Sequence, residues 1–338
     1  MIFDNTKTDE TLNSLLSDCI EYQNSGSEIF DAVYQGFKLK EAYPQASELL
    51  AGYKKCSNIY NKSFENFSED DLEQLIKIYE ASDEFDSTLT GADLNVEAYE
   101  YFENNYKKPL DDLFDTVLES ETDLKVCRGD QRFSILDSDE LKLSSATNEG
   151  LDDLLARAKE LECVKNYQKE VNIDGEWEKI SLGDITYDEE TAKWMLNGEE
   201  ASIGDLCRML TATGDEIKNG NTANKEIFEE LQEQINKIIT DTESEFTNDR
   251  YMSTATVRNF AERWTSKGGE TGGLLAEIDV PQGSKITAIE AYLNHDGING
   301  WGHEFEFLCA KNSRLKINRL TYNMETGLCE ILYKLIEQ

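Results

Sequence analysis

Apolar residues recur at helical spacing through the first 125 residues of the chain. They stand three and four positions apart from Leu72 to Tyr79, and Ser68 with Asp71 forms the pattern of a capping box in front of them. A second apolar face follows Pro109, a residue type favoured in the first turn of a helix. The pattern therefore predicts a helical N-terminal part.

The middle of the chain has a mixed pattern. A short strand is predicted at 124–128, and helices are predicted at 148–164 and 223–240. Between these helices, the Asp174-Gly175 dipeptide predicts the turn of a β-hairpin. We interpret the segment at about residues 140–245 as an inserted subdomain.

Beyond residue 270 the apolar and polar residues alternate, which is typical of strands. The alternating segments are 274–280, 286–293, 304–310, 315–320 and 327–336. Short strands separated by Gly, Asn and Pro turns indicate an antiparallel β-sandwich. Helices thus come first and strands last, so the predicted fold class is α+β. The predicted organisation is a helical N-terminal extension at 1–65 and one domain at 66–338 that carries the insertion.

Charge is distributed unevenly along the 338 residues. The formal net charge is −36, and residues 251–338 hold 9 Lys+Arg and 11 Asp+Glu, which leaves −34 for residues 1–250. Such a surface repels nucleic acid and attracts basic proteins, so we expect no nucleic-acid partner. The alternative interpretation is an acidic surface that only keeps the protein in solution.

The sequence has no apolar run long enough for a membrane helix and no basic region followed by an apolar stretch at its start. We therefore expect a soluble protein without a classical signal peptide. It would act in the cytoplasm of the producing cell or as a secreted or injected effector.

Cysteine and histidine are used sparingly. The seven cysteines are odd in number and never spaced as CxxC, which favours a reducing compartment over a disulfide framework. Only His295 and His303 are present, and we interpret them as polar loop residues. We therefore expect no metal site.

Three short segments carry candidate chemistry: Arg128 at a strand end, the Ser253-Thr254-Ala255 run, and Glu304-Phe305-Glu306 at the start of a strand. Taken singly, each is also common on an ordinary protein surface. The alternation in the third segment places Glu304 and Glu306 on one face, where two carboxylates repel each other and their proton affinities separate. Such a pair suits acid–base work or the stabilisation of a positive charge.

In their order, these segments resemble the clostridial-type binary toxin and exoenzyme family of ADP-ribosyltransferases, the arginine–serine–glutamate class. In that family a strand arginine is followed by an STS strand, an aromatic turn and a Q/E-x-E strand. The resemblance covers 85–137 and 246–323, with MSTATVRNFAERW in the place of the STS strand and Trp301 in the aromatic turn. It implies the ADP-ribosyltransferase type of fold and NAD as co-substrate.

The resemblance also implies roles for single residues at the NAD site. Arg128 would bind the pyrophosphate, and the Gly129 backbone would lie against the nicotinamide amide. Thr254 belongs to the same NAD-binding strand, and Ser253 would hold Glu306 by a hydrogen bond. Phe260 or Trp264 would stack on nicotinamide, with Trp264 favoured, and Lys267 would reach a phosphate.

The catalytic carboxylate implied by the resemblance is Glu306, which would stabilise the oxocarbenium ion as nicotinamide leaves. Glu304 would bind and deprotonate a guanidinium, so the predicted acceptor is an arginine on a protein target. Trp301 would contact that target. The predicted activity is therefore mono-ADP-ribosylation of protein arginine, a glycosyl transfer of the kind performed by toxins and effectors.

The sequence departs from the family pattern in two ways. Ala255 replaces the last hydroxyl of STS, and we expect activity to survive because the first serine is the one tied to the glutamate. The spacing from Arg128 to Ser253 is 125 residues, about twice the expected distance, and the predicted insertion at 140–245 accounts for it. The spacing from Ser253 to Glu306, 53 residues (306 − 253), needs no insertion.

Two alternative functions stay open at this point. The same site with water as acceptor would make the protein an NAD glycohydrolase. The second alternative is an inactive scaffold whose acidic N-terminal part binds a partner, a delivery factor or a chaperone.

Overall fold

The computed structural model describes residues 46–116, 120, 123–143, 150–173, 176–256, 258–265, 272–288 and 306–337. The α-helices are Ala46–Cys56 (α1), Glu69–Glu80 (α2), Gly91–Phe102 (α3), Lys108–Thr116 (α4), Leu151–Ala158 (α5), Glu162–Asn166 (α6), Ile203–Lys218 (α7), Lys225–Asp241 (α8) and Arg258–Trp264 (α9). The strands are Leu124–Asp130 (β1), Gln168–Ile173 (β2), Glu176–Ser181 (β3), Thr186–Asp188 (β4), Lys193–Leu196 (β5), Glu199–Glu200 (β6), Glu245–Asn248 (β7), Met252–Ala255 (β8), Leu274–Val280 (β9), Ile286–Ala288 (β10), Glu306–Cys309 (β11), Ser313–Asn323 (β12) and Leu328–Glu337 (β13). A helical N-terminal part is thus followed by a strand-rich part, which confirms the predicted fold class.

The described residues divide into two compact units. Unit 1 takes residues between 46 and 122, residues 249–252, and residues between 282 and 311. Unit 2 takes residues between 123 and 248, between 253 and 281, and between 312 and 337. The described part of the predicted extension at 1–65 lies in unit 1 with the helices that follow it. The predicted domain boundaries stay a prediction.

The core of unit 1 is aromatic. Tyr60 makes edge contacts with Tyr53 and Tyr251, with ring centroids 5.0 Å apart in both pairs. Leu75 and Tyr79 of α2 are buried in the same cluster. The predicted capping box at the start of α2 is confirmed, because Ser68 accepts from the Asp71 amide and Asp71 accepts from the Ser68 amide.

The helix that contains Pro109 does not start from a loop. The α4 helix begins at Lys108, but it continues directly from α3 through a π-helical turn at Glu103–Lys107. Proline has no N–H to donate to the carbonyl four residues earlier, and its ring crowds that carbonyl. A widened turn just before Pro109 lets the helix pass the proline without ending.

Six strands of unit 2 are hydrogen-bonded in the order β8–β1–β9–β13–β12–β7. The pairs are antiparallel except β9 with β13, which run parallel from Leu274–Cys329 to Asp279–Lys334. The sheet is therefore mixed, and the expectation of an antiparallel core is corrected at this pair. The 47 residues between β9 and β13 are enough for the long crossover that parallel strands need.

Helices cover both faces and one edge of this sheet. The α7 helix lies on the face of Cys329 and Tyr322, where Asp215 accepts from the Tyr322 hydroxyl. The α9 helix lies on the opposite face, where Ala261 packs with Cys127 and Leu275. Along the β12 edge, the α8 side chains Gln232 and Asn236 bond the backbone of residues 320 and 322. These amides replace a neighbouring strand and protect the edge.

The predicted insertion contains α5 to α8 and two small sheets. Strands β2 and β3 form an antiparallel ladder that reaches Ile173–Glu176, which confirms the predicted hairpin. Its turn residues, 174 and 175, lie outside the described residues. The predicted helices at 148–164 and 223–240 correspond to α5 with α6 and to α8.

A network of charged side chains lies inside unit 2. Arg208 of α7 is fully buried and binds both carboxylate oxygens of Asp137 at 2.8 Å, while Lys169 lies 2.9 Å from Asp205. Burial opposes ionisation of Asp137, yet the charge and hydrogen bonds of Arg208 outweigh it and hold the pKa of Asp137 below its usual value. Two cations and two carboxylates balance each other, so this network serves as a polar core.

Candidate functional site

In unit 2, Arg128 lies on the central strand β1, between β9 and β8. Strand β1 pairs with β9 along its whole length, from Leu124–Val280 to Asp130–Leu274. Within the described residues, its ladder with β8 on the other side has one pair, Cys127–Ala255. Arg128 is the next residue of β1 after Cys127, so it lies beside this pair.

Among the described residues, Asp130 and Ser253 bind the Arg128 guanidinium. Its Nε donates to the Asp130 carboxylate at 3.0 and 3.1 Å, and its Nη2 lies 2.8 Å from Asp130 Oδ1. Its Nη1 donates to the Ser253 carbonyl oxygen at 2.9 Å. The side chain of Arg128 is 31% exposed, so the guanidinium is oriented and still reachable. The structure therefore brings Arg128 and Ser253 together across 125 residues of sequence.

The role of Asp130 was missed by the sequence analysis, although a signal was present. Successive side chains of a strand point to opposite faces, so residues two apart share one face. Arg128 and Asp130 are two apart on β1, and the fork of an arginine matches a carboxylate.

Gly129 is required by packing within the protein. A Cβ built on this residue would lie 1.9 Å from the carbonyl oxygen of Ala261 in α9. Gly273, next to β9, is close to Thr265, where a Cβ would lie 2.7 Å from the carbonyl oxygen. The two glycines let α9 rest directly on the backbone of the sheet. The absence of a side chain at Gly129 thus has a structural cause besides the predicted approach of nicotinamide.

The STS-like strand presents one of its three residues to solvent. Ser253 is exposed, whereas Thr254 is 3% exposed and Ala255 is buried at its pair with Cys127. Any part that Thr254 takes in binding NAD therefore falls to its backbone. Burial raises the pKa of the Cys127 thiol to about 11, so this cysteine beside Arg128 is not a nucleophile at neutral pH.

The two candidate stacking aromatics lie on α9 and are half-buried. The Phe260 ring is covered by Arg263, whose guanidinium carbon is 4.8 Å from the ring centroid. Arg258 at the start of the helix bonds Glu262 at 2.8 Å and also Glu330 of β13. These ion pairs fix α9 from its own face of the sheet. Which of the two rings would stack on nicotinamide stays a prediction, with Trp264 favoured.

In unit 1, Glu306 is the first residue of β11. The three residues that follow it are buried, and β11 pairs with β10 from Ala288–Phe307 to Ile286–Cys309. The Glu306 side chain is 12% exposed, and its Oε2 lies 3.1 Å from Lys54 Nζ of α1. The sequence analysis missed Lys54, because a lysine in the last turn of a helix has an ordinary explanation in the helix dipole.

The residues after β11 are anchored by a second charged contact. Lys311 Nζ donates to Asp111 Oδ2 at 2.6 Å. The other oxygen of this carboxylate accepts from the Tyr60 and Tyr251 hydroxyls at 2.7 and 2.8 Å. Burial raises the pKa of both tyrosines far above the usual value, so they remain hydrogen-bond donors. The strand of Glu306 is thus tied to the aromatic core of unit 1.

Several predicted site residues lie outside the described residues. These are Glu304, Trp301, Lys267, His295 and His303. Within the described part of the chain, no group of three or more His, Cys, Asp or Glu residues is arranged to hold a metal ion. No described helix is long and apolar enough to cross a membrane.

No protein-family model matches the sequence, and no curated protein does. Solved structures similar to this chain include the C3 exoenzyme of Clostridium limosum, at 13% identity over 88% of this chain and 95% of that one, with a TM-score of 0.31. C3stau2 from S. aureus, solved with NAD, is 12% identical over 99% of both chains, with a TM-score of 0.35. Plx2a, an ADP-ribosyltransferase toxin from Paenibacillus larvae, is 11% identical over 87% and 97%, with a TM-score of 0.32.

Proposed function

We propose that this protein is a mono-ADP-ribosyltransferase that transfers ADP-ribose from NAD to an arginine of a protein target. The observation that carries the proposal is the hydrogen bond between Arg128 and the Ser253 carbonyl. The resemblance in sequence implies that these two residues act at one site, although 125 residues separate them. Their contact at the ends of β1 and β8 supports that implication.

Arg128 is the proposed anchor for the NAD pyrophosphate. A guanidinium presents parallel N–H groups that match paired phosphate oxygens, and it keeps its charge at any physiological pH. Asp130 orients the fork by binding Nε and Nη2. Gly129, Thr254 and Trp264 complete the proposed contacts with the nicotinamide end, through backbone at the first two and through the indole ring at Trp264, with Phe260 as the alternative ring.

Glu306 is the proposed catalytic carboxylate. The bond between C1′ of the ribose and the nicotinamide nitrogen breaks, and nicotinamide leaves with the electron pair. The negative charge of Glu306 stabilises the positive charge that develops on the ribose. Ser253 is proposed to hold this carboxylate. Glu306 stands at the start of β11, and only 12% of its side chain is exposed. This position suits a charge that acts in a site shielded from water.

Glu304 is proposed to select the acceptor. A target arginine forms the new C1′–N bond through a guanidino nitrogen, and the proton released from that nitrogen passes to the Glu304 carboxylate. Trp301 is proposed to contact the target surface. The excess of acidic residues in 1–250 favours a target whose arginine lies in basic surroundings, and it also favours a basic delivery or chaperone partner.

The first test uses labelled NAD and a cell lysate. Wild type is expected to label protein bands that hydroxylamine removes, as an arginine linkage requires. Glu306→Gln is expected to abolish both labelling and nicotinamide release, because the substitution removes the charge and keeps the shape. Glu304→Gln is expected to lose labelling and keep slow NAD hydrolysis. The matched control is Glu325→Gln at an exposed turn, which should leave both activities unchanged.

Each other result supports a different function. Nicotinamide release without labelled protein in several lysates favours the glycohydrolase. Neither binding nor cleavage of NAD by a folded wild type contradicts the transferase and favours the scaffold.

A further inference from the structure

The ion pair between Lys54 and Glu306 joins two distant parts of the sequence within unit 1. Lys54 Nζ lies 3.1 Å from Glu306 Oε2, and 252 residues separate the two. The lysine side chain is 29% exposed and the glutamate side chain is 12% exposed. A pair this far from solvent is screened less than a surface pair, although its contribution to stability is expected to be small.

Lys54 is carried by a rigid helix. Leu50, Tyr53 and Cys56 of α1 are buried in the core of unit 1. They stand three positions apart, so they lie on one side of the helix. Gly52 lies so close to Tyr106 that an added Cβ would be 2.0 Å from the ring. These contacts fix the last two turns of α1 against the core. They therefore also fix the direction in which the Lys54 side chain leaves the helix.

Glu306 is carried by an equally rigid strand. The next three residues of β11 are buried and paired with β10, and Lys311 is fixed by Asp111. A carboxylate on such a strand still rotates about its own side-chain bonds. An ammonium on one oxygen limits that rotation, so the other oxygen gains one defined direction.

We infer that Lys54 is a positioning residue for the catalytic carboxylate, so that α1, within the predicted N-terminal extension, is part of the active-site structure. The inference rests on the proposed function, because it assigns the reaction to Glu306. By holding Oε2, the ammonium directs Oε1 of Glu306 towards the ribose hydroxyl of NAD. A carboxylate misplaced by a fraction of a bond length loses much of its effect on a transition state.

The experiment measures kcat and KM for nicotinamide release from NAD by the full chain. Lys54→Met keeps most of the length and apolar character of the side chain and removes the ammonium. We expect kcat to fall about tenfold to hundredfold, while KM for NAD stays within about threefold, since Lys54 is not proposed to bind NAD. Lys54→Arg is expected to recover most of kcat, because a guanidinium also donates to a carboxylate oxygen.

The control variant is Lys55→Met, at the exposed neighbouring position of α1. It changes the net charge by the same amount and should leave kcat and KM unchanged. If Lys54→Met does not fold, the comparison is made with Lys54→Gln and Lys54→Arg at the same position. If kcat is unchanged or increased in folded Lys54→Met or Lys54→Gln, the inference is overturned. An increase would mean that Lys54 inhibits the reaction.

The experiment separates failure of the inference from failure of the proposed function. If wild type cleaves NAD and Glu306→Gln does not, the proposed function stands and only the Lys54 variants decide the inference. If folded wild type does not cleave NAD, the proposed function fails and the inference fails with it.

Discussion

At the residue scale, the proposed NAD-binding part of unit 2 is organised by contacts with backbone carbonyl groups. Arg128 binds the Ser253 carbonyl, and Gly129 admits the Ala261 carbonyl of α9. Both contacts are made by residues next to each other on β1, on opposite faces of the sheet. The strand end therefore positions a cation on one face while it supports the aromatic helix on the other.

Replacing Gly129 by alanine should show what its close contact with α9 contributes to stability and to the proposed activity. The added Cβ would lie 1.9 Å from a carbonyl oxygen of α9, so the helix has to move. We expect a loss of about 3 kcal/mol in the free energy of unfolding and a large loss of nicotinamide release, because Phe260 and Trp264 move with α9. Urea denaturation and the NAD assay measure the two effects.

Gly198→Ala is the comparison that measures how much stability is lost through backbone strain alone, without a packing clash. Nothing lies within 4 Å of a Cβ built at Gly198, so this substitution costs only the strain of its φ of +80°, about 1 kcal/mol, and leaves NAD cleavage intact. Equal destabilisation of the two variants would contradict the packing role of Gly129.

At the element scale, helix ends differ in how they are stabilised. Ser68 is the N-cap of α2 and accepts a hydrogen bond from the Asp71 amide, whereas Thr90, the N-cap of α3, makes no side-chain cap hydrogen bond. Lys62 adds a further contact, since its Nζ lies 2.6 Å from Asp71 Oδ2. Burial opposes ionisation of Asp71, but Lys62 and Ser68 outweigh it and lower the pKa of this carboxyl.

Removing the cap of α2 should therefore destabilise the protein more than removing the equivalent hydroxyl of α3. We expect Ser68→Ala to reduce the free energy of unfolding of the helical part by about 1 kcal/mol at pH 7. Thr90→Ala should change it by much less. Chemical denaturation followed by circular dichroism compares the two variants. A loss at Thr90 as large as the loss at Ser68 would mean that the hydroxyl group acts outside helix capping.

The elements that a local pattern specifies were predicted from sequence. The capped helix α2, the amphipathic helix α8, the β2–β3 hairpin and the alternating strand β9 all follow from residues close together in the chain. The α7 helix was missed, because it is buried along its first twelve residues and carries Asp205 and Arg208 inside the protein. Buried polar residues of this kind do not mark a solvent-exposed face, so they obscure the helix in the sequence.

The direction of strand pairing could not be predicted, because alternation shows which residues share a face and not which strand lies beside which. The parallel pair β9–β13 is therefore visible only in the structure. At the site, the order of Arg128, Ser253 and Glu306 could be compared with a family pattern. Partners such as Lys54, which lies 252 residues from Glu306, have no local signal at all.

At the scale of the whole molecule, negative charge is the dominant feature. The chain carries 69 acidic and 33 basic side chains, and many of the basic ones are engaged in ion pairs within their own unit, such as Arg157 with Glu230 and Arg314 with Glu245. The remaining carboxylates repel one another. Such repulsion raises the free energy of the folded state.

Salt should consequently stabilise the protein. At about 0.15 M ionic strength the screening length is roughly 8 Å, which weakens repulsion across the surface more than it weakens ion pairs in contact. We expect the melting temperature to rise by about 3 °C or more between low salt and this concentration. Differential scanning calorimetry at fixed pH, with sorbitol of equal osmolarity as control, measures the change. A falling melting temperature would mean that screened ion pairs outweigh the repulsion.

The parallel strand has a consequence for the order in which the protein is made. Strand β13 lies between β9 and β12, both of which precede it in the chain. Until residues 328–337 leave the ribosome, β9 has no neighbour on the side away from β1, and β12 has none on the side away from β7. A nascent chain thus holds an open sheet. A polypeptide interrupted before this strand lacks the link that joins β1 and β9 to β12 and β7 in one sheet.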